Sequence, residues 1–224
     1  MSLAIAAAVG YLFGSLSGAR IIGRLRAPGA DLSRTRVVLD GTGAAVTASG
    51  ISPSALQARA GAAGGLRAGT IDILKALIPT LVFRLIWPDG PEHVVVAGAA
   101  LVGHVYPVYH RFFGGYGISP LLGGLVVIDL PAPVVCIAGF ALLGFAVGNA
   151  FIGIETWPIG LIPWFAVMGD RWTLGYALLA NALYWWRSRT EAIGAFRAWR
   201  RDRRPWRERA ADMKRYPDYH VPDE

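Results

Sequence analysis

The spacing of apolar runs constrains this chain most. Leu3–Ile22 is the first run, and others follow at Leu66–Trp87, His93–Phe112, Gly117–Leu130, Val134–Asn149, Thr156–Met168 and Trp172–Trp186. About 20 apolar residues in a helix match the thickness of a bilayer core. Backbone in lipid must satisfy its own hydrogen bonds, so runs of this length are expected as helices. Thr156–Met168 is short and holds Pro158 and Pro163, which predicts a tilted, kinked or re-entrant segment. The expected fold is all-α, a polytopic membrane helix bundle of about seven transmembrane or re-entrant segments. A mean hydropathy of +0.43 with 17% charged residues excludes an ordinary soluble domain.

Charge placement sets an expected orientation. Half of the 22 Lys and Arg lie after Trp186. With Arg20–Arg36, Arg59–Arg67 and His110-Arg111 they fall on one side if the N-terminus is outside and the C-terminus cytoplasmic. Arg84 and Arg171 are the exceptions. The expected organisation is a membrane-integral bundle over residues 1–186 and a basic cytoplasmic tail over 187–224. Phe196, Trp199 and Trp206 among the tail arginines suit an interfacial segment beside anionic headgroups. Acids interleave with that basic run, so no nucleic-acid partner is expected. Cys136 is the single cysteine, which rules out an intrachain disulfide and a cysteine-based zinc site. No metal or cofactor is expected. No basic segment precedes the first apolar run, so that run reads as a helix rather than a cleaved signal.

Several polar features interrupt the apolar pattern. Gly10, Gly14 and Gly18 recur every four residues and offer one face for close packing. Asp72 and Lys75 stand three apart inside the second run; they share a face and can pair, either at the interface or in a site. Ala27–Arg67 is long and rich in glycine and hydroxyls, with Ser52-Pro53 predicting a helix start. Gly103–Ser119, GHVYPVYHRFFGGYGIS, leads from one apolar run through a glycine turn into the next. Such a turn exposes backbone N–H groups at a helix start, a natural anion site.

The Gly103–Ser119 stretch resembles the G-H-x-x-P-x-x-x-x-F-x-G-G-K-G-[VI]-[AS]-[TS] segment of the bacterial acyl-phosphate-dependent glycerol-3-phosphate acyltransferases. Gly103, His104, Pro107, Phe112 or Phe113, Gly114, Gly115, Gly117 and Ser119 stand in the family's order, with Tyr116 at its lysine. Gly14-Ser15, Gly18 and Gly23 resemble the family's opening helix. Asp72-Ile73-Leu74-Lys75 resembles D-[IL]-[LA]-K-G, with Ala76 for the last glycine. The family's phosphate loop has two candidate placements, one starting at Gly41-Thr42-Gly43 and one over Thr47–Arg59 with Ser54 near its threonine. Arg187–Glu191 stands at the C-terminal motif, with Ser188 for histidine and Glu191 for asparagine.

The resemblance implies a multi-pass cell-membrane enzyme that moves an acyl group, from acyl phosphate, to glycerol 3-phosphate or a related phosphorylated acceptor in phospholipid synthesis. Its implied partners are membrane lipids, the acyl donor and the acceptor. A non-catalytic paralogue binding lipid or a membrane partner is the alternative, and a small transporter a third reading. The implied catalytic residues are His104, Lys75 and Arg59. The implied phosphate-binding residues are Gly41, Thr42, Gly43, Ser54, Gly114, Gly115, Tyr116, Gly117, Ser119, Arg111 and Arg189. A phenol at 116 gives up a permanent charge, so weak transfer and a gain in phosphate binding from Tyr116→Lys are expected.

Overall fold

A computed structural model of the chain describes residues 3–38, 44–213 and 218–221. The first apolar run is not one helix. It forms α1 (Leu3–Gly14) and α2 (Gly18–Arg26), parted at Ser15–Ser17, with the Ser17 side chain accepting from Arg20 N as the cap of α2. The break frees backbone groups, and they are answered from α3 (Pro53–Ile86). Gly18 N donates to Asp72 Oδ1 at 3.0 Å, and Lys75 Nζ donates to the Leu16 carbonyl. The buried acid–base pair therefore serves the broken backbone, as helix interruptions at membrane depth require.

Ser52 caps α3 through Ala55 N and Pro53 occupies its first turn. The short helix expected to end near Gly61 instead runs into the second apolar segment, and Gly61 at φ 72° marks the kink between them. α4 (Glu92–Val105) stops short of Phe112, because Pro107 follows and a 3₁₀ turn at Val108–His110 takes over. Arg111 and Phe112 both adopt positive φ as the chain reverses.

The glycines of α1 pack on α4. A Cβ on Gly14 would lie 2.1 Å from the Ala100 carbonyl oxygen, so only glycine permits this approach. Gly18 does not join that face: it sits beyond the break and meets Ala68 of α3.

α5 (Ile118–Ile128) and α6 (Pro131–Val147) follow with α7 (Ala150–Glu155), a 3₁₀ turn at Trp157–Gly160 and α8 (Leu161–Met168). The expected kinked segment is thus the 3₁₀ turn and α8 together. α9 (Arg171–Arg201) starts at a capping box from Asp170 and Thr173 and continues straight through Trp186. A core of Leu101, Leu121, Leu125, Trp157, Leu161 and Phe165 ties α4, α5 and α8 to α9 at Tyr176, Ala177 and Ala180.

The bundle is not purely helical. Within the long polar interval, β1 (Arg34–Val38) and β2 (Ala45–Ser49) form an antiparallel hairpin, Thr35 opposite Ala48 and Val37 opposite Val46. β-branched residues at alternate positions fit a pleat with one covered face, and Thr35 and Val37 are buried while their neighbours are not. After α10 (Trp206–Asp212), the C-terminal segment returns as β3 (Asp218–His220) and pairs with β1, Tyr219 opposite Val37. The sheet order is β2-β1-β3.

Candidate active site

The inner face of the sheet roofs a cavity of about 270 Å³ at one end of the bundle. Thr35, Val37, Val46 and Ala48 line it from the hairpin, and Tyr219 from β3. Ser52, Pro53 and Ser54 bring in the N-terminus of α3, and Gly117, Ile118 and Ser119 that of α5. His104 enters from the last turn of α4, and Glu155, Tyr184, Ser188 and Glu191 close the far wall. Two helix N-termini thus point at one space, each carrying partial positive charge.

His104 is held from below. Lys75 Nζ lies 2.9 Å from Asp72 Oδ1 and 2.8 Å from His104 Nδ1. With Leu16 these use all three ammonium donors. An ammonium only donates, so Nδ1 accepts and the ring proton sits on Nε2. Nε2 lies beside Gly115, where an added Cβ would be 2.3 Å from it and 2.8 Å from the Ile51 carbonyl oxygen. Gly115 is the one residue that leaves the imidazole its place. The chain from Asp72 through Lys75 to His104 presents a neutral N–H donor at the cavity wall.

The glycine turn is pinned by arginines. Arg20 Nη2 donates to the Phe113 carbonyl at 2.8 Å. Arg187 Nη2 donates to Ser49 and Gly114 carbonyls at 3.1 and 3.3 Å, with its guanidinium over the Phe113 and Tyr116 rings. Tyr116 Oη donates to Glu191 Oε1 at 2.7 Å, and Ser49 N donates to the same oxygen at 3.2 Å. Burial first, then the Glu191 carboxylate, hold the Tyr116 phenol well above its ordinary range, so it stays a donor.

The predicted residues divide accordingly. His104, Ser54, Tyr116, Gly117 and Ser119 line the cavity. Lys75 is brought to His104 but its donors are spent. Gly114 and Gly115 shape the wall, and Gly115 N donates to the His104 carbonyl, so it is not an anion donor. Arg59 departs from its expected role: it ties Thr35 and the Arg34 carbonyl to α3, holding the hairpin down. Arg111 is exposed and absent from the wall. Arg189 is exposed, donating to the Trp186 carbonyl and stacking on that indole at 4.5 Å. Gly41, Thr42 and Gly43 lie outside the described residues. Among the described residues no lysine or arginine lines the cavity. Glu155, Tyr184 and Tyr219 were not anticipated; isolated acids in apolar surroundings, such as Glu155, were the available signal. Tyr219 lies against Ser54 and Glu155; its phenol is pushed up to about 12 chiefly by burial.

A sequence model described as glycerol-3-phosphate acyltransferase matches residues 4–197, nearly the whole bundle.

This chain belongs to the glycerol-3-phosphate acyltransferase family.

A glycerol-3-phosphate acyltransferase of Anaeromyxobacter sp. (strain K) is 33% identical over 193 residues, 80% of this chain and 86% of that protein. One from Thioalkalivibrio sulfidiphilus (strain HL-EbGR7) is 30% identical over 122 residues, 53% of this chain, and that alignment spans 59% of the relative's length. The fold is that of PlsY (YgiH), an integral membrane glycerol 3-phosphate acyltransferase. Its lysophosphatidic acid form superposes with TM-score 0.70 at 21% identity, covering 95% of this chain and all of that one. Its glycerol 3-phosphate form gives 0.69 at 24% identity, covering 92% and 96%. Gly103–Ser119 contributes His104, Tyr116, Gly117 and Ser119 to the cavity wall and Arg187–Glu191 contributes Ser188 and Glu191, while Asp72–Lys75 reaches the wall only through His104. Two of the departures from the motif pattern, Tyr116 and Glu191, are bonded to each other.

That contact revises the expectation for Tyr116→Lys. A lysine there meets the Glu191 carboxylate first and forms an ion pair. The single substitution is therefore expected to leave phosphate affinity within about twofold. Tyr116→Lys combined with Glu191→Asn frees the ammonium and is expected to tighten the binding of inorganic phosphate, which has no glycerol hydroxyl to seat, by about 1.5–3 kcal/mol, read by calorimetry.

Proposed function

We propose that this chain is a multi-pass cell-membrane acyltransferase that transfers an acyl group from acyl phosphate to a hydroxyl of glycerol 3-phosphate. The products are a lysophosphatidate and inorganic phosphate. The observation that carries this reading is the cavity itself: the N-termini of α3 and α5 and the buried His104 N–H converge where the family's motifs meet. In attack on the acyl carbon, negative charge grows on the carbonyl oxygen and the departing phosphate. Preorganised neutral donors and helix N-termini stabilise such charge without needing to reorganise. Among the described residues no lysine or arginine lines the cavity, so the anion-binding groups they supply are these and the Ser54 and Ser119 hydroxyls.

The arrangement of about seven segments, with the N-terminus outside, belongs to the same proposal. Among the described residues, α1 and α2 taken together, Leu3–Arg26, alone have the length and apolarity of a span; α5 and α6 are shorter apolar helices. Support comes from the basic residues gathered at the cavity end: Arg20 and Arg187 both hold the glycine turn. The positive-inside rule then puts the cavity and the basic C-terminal segment at the cytoplasmic face.

Purified protein in lipid, given acyl phosphate or acyl-CoA with glycerol 3-phosphate, tests the function by lipid mass spectrometry. Lysophosphatidate from acyl phosphate is the expected product, and product from neither donor contradicts the reading.

A further inference from the structure

Glu191 is more than 90% buried, yet among the described residues only one of its oxygens is engaged. Oε1 takes both the Tyr116 hydroxyl and the Ser49 N–H. Oε2 is buried with no hydrogen-bond partner among the described residues, and the residue lines the cavity. A buried carboxylate oxygen without a donor is costly, whereas a hydrogen bond to a charged group is among the stronger ones available. The fixed Oε1 contacts orient the second oxygen before any ligand arrives. A carboxylate repels a phosphate and accepts from a hydroxyl. The cavity is therefore polarised, with two helix N-termini on one side and Glu191 on the other.

We propose that Glu191 is the specificity-determining seat for a hydroxyl of the acyl acceptor, which lies with its phosphate toward the α3 and α5 N-termini and its hydroxyl end toward Glu191. The assignment rests on the acceptor reading above. Tyr116 is the positioning residue: it fixes the carboxylate through Oε1 without touching the acceptor. The phenol at 116 and the carboxylate at 191 then form one device for reading a hydroxyl rather than two separate losses of phosphate contacts.

The test is equilibrium binding of glycerol 3-phosphate and its two monodeoxy analogues, propane-1,2-diol 1-phosphate, which lacks the C1 hydroxyl, and propane-1,3-diol monophosphate, which lacks the C2 hydroxyl. The full chain in detergent is measured as native, Glu191→Gln and Tyr116→Phe. The native chain is expected to bind one analogue about ten- to hundredfold more weakly than glycerol 3-phosphate, the range for a hydrogen bond to a charged group. Glu191→Gln should bring that ratio to within about threefold while leaving the affinity for the same analogue nearly unchanged, since an amide is a weaker acceptor. Tyr116→Phe should give an intermediate ratio. A merely structural role would weaken all three ligands in parallel, and that result overturns the assignment while leaving the acceptor reading intact. Equal binding of the three ligands by the native chain also overturns it. Failure of every ligand to bind any form overturns both.

Discussion

Replacing Lys75 with methionine is expected to cost about 3–5 kcal/mol of stability, because Asp72 is left as an uncompensated buried charge. Asp72 and Lys75 are about as buried as side chains become, at 1% and 5% exposure. A buried ion pair on its own is often replaceable by apolar residues of similar volume. Here the double variant Asp72→Leu with Lys75→Met is expected to stay destabilised. The pair also answers Gly18 N and the Leu16 carbonyl at the break between α1 and α2, and each lost partner costs about 1–3 kcal/mol. Thermal unfolding in one detergent checks both variants. A double variant as stable as the native chain would show that the broken backbone finds other partners.

Gly115→Ala is expected to give the largest loss of function for the smallest change in mass. The new methyl meets His104 Nε2 on one side and the Ile51 carbonyl on the other, and both are fixed. Ile51 N is itself bonded to the Gly114 carbonyl at 3.1 Å, so the turn cannot slide away. Overpacking of this kind costs about 1–3 kcal/mol. On the role proposed for His104, moving that donor by an ångström costs about a hundredfold in rate. His104→Ala is expected to match that loss, since both remove the N–H from the cavity wall. In the acyl-transfer assay, Gly175→Ala is the control, because a Cβ there meets nothing within 4 Å. Transfer by Gly115→Ala at the native rate would show that His104 is not held by this contact.

Much of the scaffold was legible because lipid leaves few choices. Apolar runs predicted α4, α5 and α6, Ser52-Pro53 predicted the start of α3, and Asp72 with Lys75 predicted a pair on one helix face. Gly10 and Gly14 read correctly as a packing surface. The break at Ser15–Ser17 was not legible, since its stabilising partners lie more than fifty residues away on α3. The hairpin was hidden inside a polar interval, although Thr35, Val37, Val46 and Ala48 carry the alternation that its covered face requires. Site residues followed the same division. His104 was found because a motif surrounds it. Arg59 was expected in catalysis and Arg111 at the phosphate because charge is visible in a sequence, whereas the destination of a long side chain is set by tertiary packing. Glu191 and Tyr116 stood as separate departures from a pattern, and only the fold shows that they touch.

The most direct measurement is a structure of the chain with glycerol 3-phosphate bound. The account places the phosphate in the cavity against the first turns of α3 and α5, near Ser54 and Ser119, within reach of His104 Nε2, with a hydroxyl on Glu191 Oε2. A phosphate found instead in a separate surface depression of about 210 Å³, lined by Arg20, Arg24 and Asp31, and not in the cavity under the sheet, would contradict it.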